Sequence, residues 1–244
     1  MPGLRAGQAK DMATYEDRAD AGRRLAPLVA EALLEAGAAD TLVLALPRGG
    51  VPVAVVIAEA LQLELDLLLV RKLGVPGREE LAFGAIASGG IQVLNPDVLR
   101  ASAPDPTEVA AVVERELAEL ARRERQYRGD RPAADVAGRT VVVVDDGLAT
   151  GATMRAAVEA LRDRDAARIV VAVPVGSREA CLELDAEVDA LLCPTVPRRF
   201  RAVGSWYADF TPVSDAEVAA LLARAFSFAT PGRRLGEDGT HPRG

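Results

Sequence analysis

The chain is nearly without histidine. Its single copy in 244 residues, His241, is fourth from the end of a tail rich in Gly, Pro and Arg. His-based triads and multi-histidine metal sites are therefore excluded unless that tail folds back. Cysteine is almost as scarce: Cys181 and Cys193 are too few for a disulfide framework and have no C-x-x-C spacing, so both are expected to be small buried apolar side chains. Only Lys10 and Lys72 are lysines among 29 basic residues, which makes a lysine in mid-chain conspicuous. Long apolar runs are missing too. The stretches near 41–46 and 51–58 are split by Pro47, Arg48 and two glycines and are too short to cross a bilayer. The first twenty residues carry Arg5, Lys10, Asp11, Glu16, Asp17 and Arg18 without an apolar run, so no signal peptide is expected and the cytoplasm is the default compartment. There is no G-x-x-x-x-G-K-[ST] loop, and neither a helix-turn-helix nor a basic arm.

What is present is ordinary for a globular protein. Hydrophobic residues make up 50% and charged residues 27%, which removes disordered, collagen-like and disulfide-scaffold classes. The net charge of -7 opposes wholesale attraction to nucleic acid or anionic membrane, so a polyanionic ligand must meet a local site. At roughly 150 residues per domain the length corresponds to about 1.6 domains. One domain over 14–226 is expected, with hood or lid elements near 71–95 and 195–212 and flexible termini at 1–13 and 229–244.

The hydrophobic pattern alternates between strand and helix. Thr14 with Asp17 resembles a capping box, and Leu25, Leu28, Val29, Ala32 and Leu33 keep helical spacing up to Gly37, predicting a helix over 14–36. A strand at 41–46, the sharp turn Pro47-Arg48-Gly49-Gly50, a buried helix at 51–61 and a strand at 65–70 form a beta-alpha-beta unit. Residues 71–80 read as a mobile loop, followed by strand pieces at 83–88 and 91–94 around Gly89-Gly90. Asp105-Pro106-Thr107-Glu108 opens a helix to about 126 whose charged end, Arg122 to Arg128, reads as a solvated face. Val141 to Val144 has the pattern of a strand buried on both sides in a parallel sheet, and Met154, Ala157, Val158 and Leu161 trace the helix after it. Strands at 168–173 and 188–192 flank a helix capped by Ser177, and Ser214 with Glu217 starts a last helix to about 226. The order predicts an α/β fold: a Rossmann-like parallel sheet with helices on both faces, plus a small hood.

The chemistry concentrates at 141–153. A buried strand ending in Asp145-Asp146 cannot keep both acids in the core at neutral pH, so they must project from its carboxyl edge. In open α/β sheets ligands bind at that edge, and the strand-to-helix loop points its free amides there. Gly147 and Gly151 let the backbone wrap closely, and Thr150 and Thr153 add hydroxyl donors. Such a loop suits a phosphate, with charge-assisted hydrogen bonds of roughly 1.5–3 kcal/mol each. Two neighbouring acids make sense if the phosphate is carried by a sugar whose hydroxyls donate to them.

The run Val-Val-Val-Val-Asp-Asp-Gly-Leu-Ala-Thr-Gly-Ala-Thr at 141–153 resembles the phosphoribosyl-pyrophosphate signature of the type I phosphoribosyltransferases, and the resemblance extends over roughly 14–226. It implies that Asp145 and Asp146 hold ribose hydroxyls, and magnesium indirectly through those hydroxyls or water. Gly147 and the segment Ala149, Thr150, Gly151, Ala152, Thr153 would hold the 5-phosphate. Arg48, Gly49 and Gly50 are similar to the family's pyrophosphate loop, and Arg71 with Lys72, read as the end of the second strand, resembles residues that meet pyrophosphate. Arg78, Glu79 and Glu80 are candidates for a closing flap. Four of the nine aromatics, Phe200, Trp206, Tyr207 and Phe210, fall within 200–210, where the family places a hood over the acceptor base; Trp206 and Tyr207 are the candidates to stack on it, the alternative being that these aromatics glue the hood to the core.

The implied activity is a magnesium-dependent transfer of the phosphoribosyl group from 5-phospho-α-D-ribose 1-diphosphate to a nitrogenous base, with Arg48, Lys72, Asp145 and Asp146 as the catalytic set. Small-molecule substrates are the implied partners, with no nucleic acid or membrane, and dimers are common among relatives. A module that senses the donor without turnover is the alternative. Hypoxanthine-guanine transferases carry an aspartate just before the T-G of the signature; Ala149 stands there in this chain, which argues against a 6-oxopurine acceptor.

Overall fold

A computed structural model describes residues 14–88 and 91–228. The expected flexible termini and Gly89-Gly90 lie outside the described residues. Five parallel strands form the central sheet: β1 (Thr41–Ala45), β2 (Glu64–Leu67), β6 (Thr140–Val144), β7 (Arg168–Ala172) and β8 (Ala190–Leu192), in the order β2-β1-β6-β7-β8. Helices α1 (Arg18–Glu35), α2 (Gly50–Leu61), α4 (Pro106–Arg128) and α7 (Asp215–Phe228) contribute to the core on one face; α5 (Ala152–Arg162) and α6 (Arg178–Asp185) cover the other. Alternation along β6 explains its composition. Val142 and Val144 enter the first core and Val141 and Val143 the second, so none of the four valines faces water.

The chain runs from β1 outward to β2 and later returns on the other side of β1 as β6. The sheet therefore reverses its order between β1 and β6, and a crevice opens at their carboxyl ends. Ala45 is paired with Val144, and the Leu46 amide donates to the Val144 carbonyl at 2.9 Å. This places the 47–50 turn directly beside Asp145 and Asp146.

Several elements differ from the sequence pattern. Thr14 does not cap α1: the amides of Thr14 and Tyr15 donate to the Trp206 carbonyl, and Asp17 is the N-cap, accepting from the Asp20 amide at 2.7 Å. The local capping signal lost to pairing with a segment almost two hundred residues away. The expected strand at 65–70 breaks in two. Leu68 makes a last amide bond to Ala45, then Leu69 exchanges bonds with Ser88 and the chain enters a second sheet. The unbroken apolar run Leu67–Val70 carries no mark of that exit, so Arg71 and Lys72 do not end a strand of the parallel sheet. They lie within β3 (Val70–Val75), which with β4 (Arg78–Ala87) and β5 (Ile91–Leu94) forms an antiparallel sheet of order β3-β4-β5. The expected loop 71–80 is thus a hairpin, turning at Pro76-Gly77 with Gly77 at φ +72°. A short helix, α3 (Pro96–Ser102), capped by Asn95, was not legible.

At the far end of α4 Arg122, Arg125 and Gln126 are exposed, as the pattern suggests, but the last turn ends in a buried charge. Arg128 is buried, with Nε 2.8 Å from Asp66 Oδ1 and Nη2 donating to the Leu67 carbonyl, and Asp66 Oδ2 accepts from the Ala134 amide at 2.7 Å. A charge pair this enclosed is costly to break from one side. Replacing Arg128 by Met is expected to lower the unfolding free energy by about 3–5 kcal/mol. Chemical denaturation would read that loss, against little change for Arg100→Met on the exposed Arg100–Asp97 pair.

Candidate functional site

At the end of β6 the two acids have unequal surroundings. Asp145 accepts a hydrogen bond from the Asp146 amide to Oδ1 at 2.8 Å, with no cation in direct contact among the described residues. Burial, reinforced by the charge of Asp146, pushes its carboxyl well above the usual carboxylate range, against the pull of that amide and of Arg18. Asp146 has a partner: Arg18 Nε donates to Oδ2 at 2.8 Å. Burial raises its pKa as well, and the bond and charge of Arg18 oppose the rise.

The 47–50 turn closes on this pair. A methyl group on Gly49 would come within 2.0 Å of Asp146 Oδ2, and one on Gly50 within 2.5 Å of the Val144 carbonyl. Both glycines are needed for the turn to ride this close to the strand end. The Arg48 guanidinium lies 3.7 Å from Asp215 on α7, with half of its side chain exposed. Asp215 also accepts from the Tyr127 hydroxyl at 2.6 Å; burial and that bond push the Tyr127 phenol up to about 12.

Residues 147–151 form the strand-to-helix loop. The Leu148 amide donates to Val175, Ser177 returns an amide bond to Leu148, and Ser177 Oγ donates to the Ala149 carbonyl at 2.7 Å. These bonds tie the loop to the segment before α6. Gly151 is the N-cap of α5 at φ +75°, and Ala149, Thr150, Ala152 and Thr153 are exposed. The first amides of α5 have no intrahelical acceptor and are suited to an anion.

Lys72 approaches from the antiparallel sheet. Together with Ala152, Thr153, Arg155 and Asn95 it lines a cavity of about 540 Å³ between that sheet and α5. Arg71 turns the other way, its Nε 2.9 Å from Glu116 Oε2 on α4. Thus Arg48, Gly49, Gly50, Asp145, Asp146 and Gly147 come together at the crevice, Thr153 and Lys72 share a cavity beside it, and Arg71 is held by α4. Glu79 and Pro76 line a separate cavity of about 520 Å³ against α4.

The aromatic segment forms a roof joined to the start of the chain. Tyr15 pairs with Tyr207 as a parallel bridge, and the Tyr207 ring sits 5.5 Å from that of Tyr15 and 5.0 Å from that of Phe210. Trp206 and Tyr207 are only 8% and 5% exposed, so their rings are spent on packing within this cluster. The Tyr207 hydroxyl donates to the Asp146 carbonyl at 2.6 Å, which gives it a direct hold on the acid pair. Phe210 is the aromatic beneath which Arg18 is stacked, Cζ to centroid 3.9 Å. Arg18, Tyr15, Ser177 and Glu116 were missed by sequence reasoning. An arginine on α1 in so arginine-rich a chain carries no local mark of its distant partner.

Among the described residues no cluster of three or more His, Cys, Asp or Glu side chains could cage a metal ion, and no helix is long and apolar enough to cross a membrane. The two cysteines, both expected to be buried, are 3.6 Å apart behind Gly176, with Cys181 buried and Cys193 half-buried.

The raised pKa of Asp145 has a stability consequence. The folded chain binds this proton more tightly than the unfolded one, so the stabilisation is full at acid pH and is lost as pH rises through the folded pKa. Asp145→Asn is expected to raise the melting temperature at pH 7, by about 2–4 °C for each kcal/mol of charge burial relieved. The two curves should converge in acid. Thermal melts across pH 4–8 would show it; a destabilised variant at pH 7 would contradict the assignment of Asp145 as a strained charge.

Comparison with known proteins agrees with this architecture. The model of the phosphoribosyl transferase domain matches residues 12–205. A Mycobacterium tuberculosis protein named "Putative phosphoribosyl transferase" is 46% identical over 214 residues, covering 88% of this chain and 47% of the relative; the chain thus spans about half the length of the curated relatives it matches. A uracil phosphoribosyltransferase from a Nocardioides species is 38% identical over 65 residues, 27% of this chain and 30% of its own. The crystal structure of TT1426 from Thermus thermophilus superimposes with a TM-score of 0.76 at 44% identity, covering 86% of this chain and 98% of that one. With a family model spanning most of the chain and a parallel sheet whose switch point carries the acid pair and the phosphate-type loop, the chain belongs to the phosphoribosyl transferase domain family.

Proposed function

We propose that this chain binds 5-phospho-α-D-ribose 1-diphosphate and transfers its phosphoribosyl group to a nitrogenous base, releasing pyrophosphate. The observation that carries the reading is the adjacency of β1 and β6. It sets two carboxylates, a close-riding Gly-Gly turn and the open amides of α5 around one crevice. The amides with Thr150 and Thr153 suit the 5-phosphate, and the carboxylates suit the ribose hydroxyls.

In the reaction the bond between C1 and the diphosphate oxygen breaks, its electron pair leaving with the diphosphate, and a lone pair of the base nitrogen forms the new bond to C1. Positive charge develops on the sugar ring and negative charge on the leaving group. The 47–50 turn would meet the diphosphate through its open backbone and Arg48, which is held in its present position only by an exposed contact with Asp215, a weak tether. Lys72 would add charge from the side of α5. A magnesium ion fits an acid pair that lacks a third protein ligand among the described residues, because such ions take one or two carboxylates and complete their shell with substrate oxygens and water. Held by Asp145 and Asp146 through ribose hydroxyls or water, it would neutralise charge on the diphosphate.

Pyrophosphate release from the purified chain with donor, magnesium and a pool of purine, pyrimidine and pyridine bases tests the reading. Base-dependent release that disappears in the Asp145→Asn, Asp146→Asn double variant is the expected result. Tight donor binding without release would favour the sensor instead, and donor affinity undiminished in the double variant would remove the site. Gly49→Ala is expected to weaken donor binding at least about tenfold, roughly 1.4 kcal/mol, because its methyl group must displace the Asp146 carboxylate. Isothermal titration would measure this, with far-ultraviolet dichroism unchanged.

A further inference from the structure

Arg18 does more than neutralise Asp146. In an arginine the Nε–H and one N–H of Nη2 point the same way in the guanidinium plane, making an edge that takes two acceptors side by side. The exposed Arg122 uses that edge fully: Nε donates to Glu119 Oε2 at 2.7 Å and Nη2 to Oε1 at 3.0 Å. Arg18 uses half of it. Nε is on Asp146 Oδ2 at 2.8 Å and Nη1 donates to the Thr211 carbonyl at 2.9 Å, whereas Nη2 makes no hydrogen bond among the described residues.

The rest of the side chain is firmly held. It is 10% exposed, with one face stacked on Phe210 at 3.9 Å. A tenth of the side-chain surface nevertheless stays open, and Nη2 is the guanidinium nitrogen without a partner among the described residues. A nine-tenths-buried cation therefore keeps an open donor on the edge that faces Asp146, at the crevice. An acceptor placed there lies next to the Asp146 carboxylate. A carboxylate or phosphate ligand in that position would be repelled by Asp146, whereas a hydroxyl can satisfy both neighbours, giving its proton to the carboxylate and accepting from Nη2.

We propose that Arg18 is a sugar-binding residue of the donor site, donating from Nη2 to the oxygen of a ribose hydroxyl whose own proton is held by Asp146. The inference rests on the donor-site reading above and adds to it a residue from α1, outside all the sequence motifs. It assigns to the hood a share in recognising the sugar, because Phe210 and Thr211 hold the guanidinium in place.

The test compares ligands as well as variants. Ribose 5-phosphate, 2-deoxyribose 5-phosphate and 3-deoxyribose 5-phosphate are titrated calorimetrically into the full chain and into Arg18→Gln, with Arg24→Gln, an exposed arginine on the same helix, as the control. The wild-type chain is expected to bind one deoxy compound at least fivefold more weakly than ribose 5-phosphate. Arg18→Gln should lose affinity for the ribosyl compound but not for that deoxy compound, so the ratio collapses towards one, while Arg24→Gln keeps it. Arg18→Lys keeps a cation on Asp146 and guards against a folding failure. Lacking the second parallel nitrogen, it should lose discrimination as well. Equal losses for all three ligands, with the ratio preserved in both Arg18 variants, would show a merely structural role and overturn this inference alone. Failure of the wild-type chain to bind any of the three would overturn the donor-site reading together with it.

Discussion

Two adjacent carboxylates at the end of a strand buried on both faces set the terms for everything around them. Charge in such a place is tolerated only if neighbouring groups offset its desolvation. For Asp146 the offset is a direct bond to Arg18; for Asp145 it is one backbone amide and the more distant charge of Arg18, and of the two its pKa is driven further upward. The strain explains the surroundings. Gly49 leaves room for the Asp146 carboxylate, Tyr207 holds the Asp146 carbonyl, and the first turn of α1 is placed so that Arg18 reaches inward.

That placement requires the start of the described chain to meet the segment that precedes α7. The extended Thr14–Glu16 segment is bonded to Trp206–Asp209, and Tyr15 reaches the Pro174 carbonyl and Thr195 through its hydroxyl. Aromatic packing supplies the cohesion, and the cation-π stack of Arg18 on Phe210 aligns the guanidinium. Of the two roles the sequence left open for the aromatic cluster, stacking on a base or gluing the hood to the core, the rings of Trp206 and Tyr207 take the second. On the other flank the enclosed Asp66–Arg128 pair anchors α4, and α4 in turn holds Arg71 of the hairpin through Glu116. A chain of buried or half-buried ion pairs thus connects the sheet edge to the element that presents Lys72.

The division between what was legible and what was not follows interaction range. The valine run 141–144, the acids after it, the T-G-A-T loop and the capping residues Asp105, Ser177 and Ser214 are local signals, and the corresponding strand, loop and helices form where those signals lie. Local signals also misled: Thr14 had the form of a cap, Leu67–Val70 had the form of one continuous strand, and Arg128 had the form of the end of a solvated face. In each case a distant partner decided otherwise, Trp206 for Thr14, Ser88 for Leu69 and Asp66 for Arg128.

By itself the sequence determined the alternation of strands and helices, the layered α/β class and the family-like acid and phosphate motif, because hydrophobic period, capping and turn chemistry act over a few residues. Tertiary structure alone decided which strand ends become neighbours, which arginine enters the acid pair and which face of the hairpin meets the crevice. These are outcomes of packing between residues up to almost two hundred positions apart, and no window along the chain contains both partners.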